Sequence, residues 1–409
     1  MIHVKPFRAL RPPRDKAYLV ATRSYLSYNQ THLHDKLSHN PYTFLHVINP
    51  TFGGDELTPA ERYPRVKAAF EKQMAEGIFR QDEAPAYYLY RQVKDGNEYI
   101  GLIAAVSVED YREGRIKKHE KTLSHREEMF TDYLEATGFN AEPVLLLYQD
   151  DLRLDELFAR YANQRSEYEF TSTDRVLHQL WLIENPEECA LISKVFSEQP
   201  ALYIADGHHR CASSAGLADR LSSAKSEKEA PHQFFMAYLI GEEQMKIYDY
   251  NRLVVNEAGL KCAEIVKMLS DHFLIEPRDH IVRPEKLHEM GMYCEGQWFK
   301  LAPRTGSFDP GDPVSHLDAE ILSRNILAPV FGITDLKSDR RVDFLPGTEG
   351  LEALQARVDK GPYDLAFTLH PVTIEQIKRV SDAGDTMPPK STYVEPKLRS
   401  GLTVYKILD

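Results

Sequence analysis

Ala201-Leu202-Tyr203-Ile204-Ala205-Asp206-Gly207-His208-His209-Arg210-Cys211-Ala212-Ser213-Ser214-Ala215 reads as a short buried strand, a sharp turn and a helix. Leu202 to Ile204 is a compact apolar run with a β-branched residue. Gly207 accepts backbone angles that other residues resist. Asp206 is placed to cap the helix, because its carboxylate accepts the free N–H groups of a first turn. The small residues Cys211 to Gly216 let the helix backbone lie close to a sheet. Two histidines and an arginine stand in the first turn, where the helix dipole and N–H groups already favour an anion. Asp-Gly before a helix is also common punctuation. His208 and His209 point about 100° apart, so they lack the one-turn spacing of a helical zinc pair. Anion binding at this helix start is therefore expected, and a metal site is not.

The rest of the composition sets bounds. The chain has 409 residues, 42% hydrophobic and 27% charged, enough for two or three domains with ample core. A net charge of −12 with interspersed basic residues argues against a general hold on nucleic acid. The longest apolar run, Phe234 to Ile240, is far short of the roughly 20 residues of a membrane helix. Met1 to Phe7 holds no signal-peptide core, and Cys189, Cys211, Cys262 and Cys294 show no paired spacing. These features lead to the expectation of a cytoplasmic protein without membrane contact, zinc or disulfide framework.

Working outward, Tyr18–Thr22 and Thr43–Ile48 are strand candidates. Thr58-Pro59-Ala60-Glu61 has the form of a capping box opening a helix that stops at Gly77. Tyr87–Val93 and Tyr99–Val108 form a hairpin across Asp95-Gly96-Asn97. A helix is expected at Ser124–Ala136, a strand at Val144–Tyr148, and helices at Leu152–Gln164, Val176–Leu182 and Pro186–Phe196. Ala224–Pro231 reads as a polar loop. Phe234–Ile240 is expected to pair with Met245–Tyr250. Beyond Asn256 the expected elements are a helix at Ala258–His272, a hairpin at Gly291–Leu301, helices at Ser315–Ile326, Leu351–Val358 and Ile374–Ala383, and a strand at Leu365–Leu369. Strands and helices mix without strict alternation, which favours an α+β fold. The expected regions are an N-terminal α/β region, 1–85, a core, 86–255, and a C-terminal α+β region, 256–409.

Three polar clusters could carry chemistry. Besides the Asp206–Arg210 turn, Lys117-Lys118-His119-Glu120-Lys121-Thr122 sets a carboxylate among lysines; it is a base only if desolvated, and otherwise a solvated loop. Met387 to Gly401 offers Lys390, Ser391, Thr392, Lys397, Arg399 and Ser400, suited to phosphate or carboxylate groups or to an exposed tail. There is no Gly-x-x-x-x-Gly-Lys-Ser/Thr loop, no Gly-x-Ser-x-Gly elbow and no kinase His-Arg-Asp signature. Phosphoryl transfer needs chiefly a phosphate cradle, positive charge and a residue that orients or deprotonates the acceptor. The turn can supply the cradle and Glu120 the base.

Six segments together resemble the bacterial domain-of-unknown-function 1015 family: Val4 to Pro12, Asn40 to Val47, Lys117 to Thr122, Ala201 to Arg210, Asp249-Tyr250-Asn251-Arg252, and Met387 to Thr392. The Asp-Gly-His-His-Arg turn is also similar to the signature turn of the ParB/sulfiredoxin-like superfamily, which includes a free serine kinase. The resemblance implies a ParB/sulfiredoxin-like core in 86–255 with additional mixed α/β regions. It implies nucleotide phosphates at Asp206, Gly207, His208 and Arg210, with Glu120, His119 and His209 as catalytic residues. It also implies Lys390, Ser391, Thr392 and Arg252 around the substrate, ADP or ATP with magnesium as cofactor, and chemistry on serine or phosphoserine. The family usually carries Ser-Pro-Pro-Tyr-Asp-Val after the first strand. Here Ala21-Thr22-Arg23-Ser24-Tyr25-Leu26-Ser27-Tyr28 stands instead, and the Pro-Pro and Asp are gone. Arg126 to Thr131 likewise replaces a usual Lys-Glu…Asp-Arg pattern.

The expected function is phosphotransfer on a small hydroxy amino acid or its phosphate, as kinase or phosphatase. The alternatives are a ParB-like nucleotide-sensing regulator without turnover, or an inactive paralogue.

Overall fold

Leu202–Asp206 forms the expected strand, and the helix His208–Leu221 follows it after the single residue Gly207. The computed structural model describes residues 1–50, 57–222 and 228–408, so the predicted loop at 224–231 lies partly outside the described residues. The chain divides into two compact units. The first comprises Met1–Lys117, Lys121–Met245 and Pro396–Asp409; the second comprises Lys118–Glu120 and Lys246–Glu395.

The first unit is built on a nine-stranded mixed sheet. Leu202–Asp206 lies between Ile116–Lys117, to which it is parallel, and Val144–Tyr148, to which it is antiparallel. Phe234–Gly241 continues the sheet, parallel to Val144–Tyr148 and antiparallel to Asn97–Ser107. Every residue of Phe234–Gly241 is buried, as its unbroken apolar run requires of a central strand. The Asp95-Gly96 turn joins Tyr87–Lys94 to Asn97–Ser107 as predicted. Cys211, Ala215 and Ala218 of the opening helix join the sheet core with Leu202 and Ile204. The helix Ser124–Thr137 covers another side of it: the Thr131 hydroxyl donates to the Ser213 carbonyl at 3.3 Å, and a Cβ on Gly216 would stand 2.8 Å from Thr131 Oγ1. The small residues thus serve a close helix–helix approach as well as the sheet.

The second unit centres on a six-stranded antiparallel sheet. Its order is Phe273–Arg278, Gln297–Pro303, Met290–Cys294, Leu365–Leu369, Tyr250–Val254, Val342–Pro346. The helices Cys262–Leu269, Leu351–Lys360 and Ile374–Asp382 accompany it. The helix expected at Ser315–Ile326 begins at Asp318 and passes through a π-helical segment, Ser323–Leu327, before ending at Phe331. The fold is α+β.

Five local expectations are corrected. Tyr18–Thr22 is not a strand: Ala17–Val20 is one helical turn, and only Thr22 makes a bridge, to Ser400. Thr43–Ile48 is likewise a helical turn, Leu45–Ile48, whose Leu45 and Val47 are both buried, so no face was left for alternation to mark. Val176–Leu182 is the strand Leu177–Ile183; pairing with Tyr87–Lys94 and Tyr168–Thr171 overrides its helical spacing. Met245–Tyr250 does not pair with Phe234–Ile240: Lys246–Tyr248 pairs with Tyr393–Glu395 instead. Asp206 is not the N-cap. It ends the strand, and Gly207 occupies the cap position without a side-chain hydrogen bond.

Candidate functional site

The turn of the first unit is shaped by Gly207, which has φ 101°, a left-handed conformation that other residues rarely adopt. A Cβ there would also stand 2.8 Å from Arg210 Nε, because the guanidinium lies over the glycine. Arg210 Nη1 donates to Glu142 Oε1 at 2.6 Å and to the Pro143 carbonyl at 2.7 Å. Its Nη2 is 3.6 Å from Asp206 Oδ2, and Lys397 Nζ approaches the same oxygen at 3.8 Å. Burial pushes the Asp206 carboxyl up, but Lys397, Arg210 and His208 outweigh it and hold the group below the usual carboxylate range. Burial also works against the Arg210 charge, and Glu142 and Asp206 more than offset it. The Asp206 side chain keeps 48% of its surface exposed, so this ionised group is reachable from solvent. His208 is buried. His209 Nε2 accepts from the Leu123 amide at 3.4 Å, which requires that nitrogen to be unprotonated.

The tail Pro396–Asp409 supplies more of this surface. Ser400 bridges Thr22, and its hydroxyl donates to Glu142 Oε2 at 3.3 Å. Arg399, almost fully buried, donates from Nη2 to Asp174 at 2.7 and 2.9 Å. The segment that departs from the family pattern is tied to the same place. The Thr22 and Tyr28 hydroxyls are 3.0 Å apart, Arg23 lies 4.7 Å over the Tyr28 ring, and Arg23 Nη1 stands 4.0 Å from Asp174. Glu142, Asp174 and Lys397 complete the charge pattern, yet Glu142 and Asp174 carry no local signal: each meets its partner across more than 60 residues of chain.

His119, Glu120, Lys390, Ser391, Thr392 and Arg252 belong to the second unit. The His119 carbonyl accepts from the Met387 amide at 2.8 Å, which fixes the segment before Lys390. His119 is buried and Glu120 is exposed. Lys390 adopts φ 57° and holds its ammonium 5.7 Å over the Tyr250 ring. The Ser391 hydroxyl donates to the Pro388 carbonyl at 2.7 Å. Arg252 is fully buried two residues beyond Tyr250 on the same strand. The structure therefore brings Asp206 to Arg210 together in one unit, and Arg252 with the Lys390 segment in the other. Among the described residues no group of three or more His, Cys, Asp or Glu side chains could hold a metal ion, and no helix is long and apolar enough to cross a membrane.

Among solved structures, the chain is similar to a mutant free serine kinase in complex with AMP, with 13% identity and a TM-score of 0.37 over 74% of this chain and 92% of that one. It is similar to C-terminally truncated SbnI from Staphylococcus aureus, with 14% identity and a TM-score of 0.38 over 72% of this chain and 82% of that one. A conserved hypothetical protein from Pyrococcus furiosus aligns with 13% identity and a TM-score of 0.31, over 72% and 90% of the two chains. Likeness at this level carries no function across. No curated protein matches the sequence. The family described as protein of unknown function (DUF1015) matches residues 4–320, and the chain belongs to it.

Proposed function

We propose that the protein is a phosphotransfer enzyme acting on a small hydroxy amino acid or its phosphate, with a nucleotide phosphate held at the start of the helix His208–Leu221. One observation carries this reading. The helix begins on a left-handed glycine with no side-chain cap, and Lys397 and Arg210 bracket the approach. Helix dipole and cations favour a phosphate at the same point.

A magnesium ion with ADP or ATP fits this chemistry. Magnesium is commonly held by one or two carboxylates with phosphate oxygens and water, and Asp206 is a reachable, ionised carboxylate. When bound, the ion would offset charge on the phosphate oxygens. In the kinase direction, the amino-acid hydroxyl attacks phosphorus, the bond to the leaving phosphate oxygen breaks, and the hydroxyl proton passes to a base. Glu120, exposed and flanked by lysines, is the residue we assign to that role. His119 precedes it and is fixed through its carbonyl. His209, whose accepting Nε2 leaves Nδ1–H as the donor, is assigned to orienting the phosphate. In the phosphatase direction water replaces the amino-acid hydroxyl as nucleophile.

Phosphorus NMR of the full chain with ADP, ATP, serine and phosphoserine, with and without magnesium, tests the reading directly. Phosphoserine forming or disappearing is the expected result; unchanged spectra in every mixture overturn it. Glu120→Gln should keep nucleotide binding and lose turnover, while unchanged turnover removes Glu120 from the mechanism. A nucleotide-sensing protein without turnover is the second reading. The commitment of Arg210 to Glu142 favours it, because that guanidinium already has a partner. Calorimetric binding of ADP with silent phosphorus spectra would select it.

A further inference from the structure

The helices Ser124–Thr137 and His208–Leu221 of the first unit run side by side in the same direction. The Leu123 amide meets His209, the Thr131 hydroxyl meets the Ser213 carbonyl, and Asp132 and Glu135 meet Arg220 further along. Both helices therefore start at the same end. Neither start carries a side-chain cap, since Leu123 and Gly207 occupy the two cap positions. The one acid in either first turn, Glu127, already accepts from the Thr122 hydroxyl. Two positive dipole ends held together both favour an anion, and His209 lies at their junction.

Beyond His209 stands Phe130. The two ring centroids are 6.3 Å apart, edge to face at 63°. The helix Ser124–Thr137 turns Thr131, Leu134 and Thr137 into the protein. Phe130 lies about 100° round from Thr131 and is 37% exposed. Threonines thus fill the buried face, and the larger apolar ring is left at the surface. A single exposed ring is ordinary in itself. This one differs in its place, because it adjoins the Gly207 turn through His209. Arg126, exposed and one helical turn back on the same side, adds a cation. The surroundings therefore fit a molecule that joins an anionic end to a flat apolar end. A nucleotide is such a molecule, and its base stacks on an aromatic ring without needing hydrogen-bond partners there.

We propose that Phe130 is the stacking platform for the base of a nucleotide whose phosphates lie at the start of the helix His208–Leu221. The inference rests on the reading of that turn as a phosphate site, and it names the class of phosphate compound: one held at both ends, by its phosphates and by its base. Calorimetry on the full chain with ADP and with pyrophosphate, both with magnesium, reads the two ends separately. Phe130→Ala should weaken ADP about tenfold and leave pyrophosphate unchanged. Phe130→Trp should keep ADP binding and set an indole on the platform. The two native tryptophans, Trp181 and Trp298, are buried, so the difference from the parent spectrum reports on this place. ADP should change that emission and pyrophosphate should not.

Thermal melts establish that both variants are folded. Loss of ADP affinity alone in Phe130→Ala, with an ADP-specific change in the Phe130→Trp emission, supports the platform. ADP affinity unchanged in folded Phe130→Ala, equal losses of ADP and pyrophosphate, or an indole emission that bound ADP does not alter each overturns it and leaves the phosphate turn standing. A shifted elution volume of Phe130→Ala with ADP binding unchanged also overturns it, and assigns the ring to contact between copies of the chain. A parent that binds neither ADP nor pyrophosphate removes the phosphate turn itself, and the platform falls with it.

Discussion

Arg399 in the first unit and Arg252 in the second are both almost fully buried arginines, yet their surroundings are opposite. Arg399 meets the Asp174 carboxylate at 2.7 Å and the Ser172 hydroxyl at 3.2 Å. Arg252 meets a carbonyl and an aromatic face, with two nitrogens unmatched. A charge matched by a carboxylate is scaffolding: it holds the tail against the sheet of its own unit, with Nε alone left unmatched. Arg210 sits nearer the first case, because Glu142 already supplies its carboxylate. The same residue type therefore means different things in the two units, and only its counter-charges tell them apart.

The largest expected effect breaks the matched case. Arg399→Met leaves Asp174 only the more distant Arg23 guanidinium, at 4.0 Å, and should cost about 3 kcal/mol in urea unfolding of the first unit. A loss below about 1 kcal/mol would show that the pair is not structural. Next, Gly207→Ala forces an alanine to φ 101° and into Arg210. It should cost about 2 kcal/mol and weaken ADP binding, both read on one protein by melting and calorimetry.

The third test uses pH. His178, with Tyr90 Oη at 2.7 Å on Nδ1 and Ser172 Oγ at 3.0 Å on Nε2, is held neutral: burial first, then the Arg399 charge, push its pKa down to about 3. The unfolded imidazole binds its proton near pH 6.5, so the unfolded state gains protons first and stability falls as pH drops from there. The expected slope approaches about 1.4 kcal/mol per pH unit, down to about pH 3, and His178→Phe should remove it. Asp174 titrates in a lower window. Burial pushes it up, but Arg399 and Ser172 hold it well below the carboxylate range, so its contribution is full above about pH 4 and is lost as pH falls further. Arg399→Met should flatten that lower limb and, by removing the second cause of the His178 shift, end the His178 limb at a higher pH.

The smallest effect falls on the unmatched case. Arg252→Met should shift ligand-free stability by less than about 1 kcal/mol, or raise it, since replacing an unsatisfied buried charge with an apolar chain is often neutral or favourable. A loss of about 3 kcal/mol would mean that the guanidinium is structural after all.

Much of this was legible along the chain where one local rule governs. The capping box Thr58/Glu61 opens the helix Pro59–Ala75 as its spacing predicts. Phe234–Gly241 is a buried strand because its run leaves no polar face. Legibility ended where distant partners decide. Leu177–Ile183 looks helical alone and is a strand because strands on both sides pair with it. Lys246–Tyr248 passes over its neighbour in sequence for Tyr393–Glu395, almost 150 residues away. For the candidate site, the turn was visible because strand, glycine and helix are contiguous. Glu142 and Asp174 were not, because nothing beside them in sequence marks them as counter-charges.

Read along the chain, the residues were enough for the strand–glycine–helix unit at Leu202–Leu221, the α+β character, and a family membership carried by short motifs. These follow from nearest-neighbour chemistry: apolar runs, turn residues and caps. Folding across the chain turns Asp206 toward Lys397 and Arg210 instead of capping the helix. The folded chain likewise sets Arg399 against a carboxylate and buries Arg252 over a ring face with two nitrogens unmatched. The physical reason is that a charge acts through space, and which charges share a space is fixed by pairings far apart in the chain.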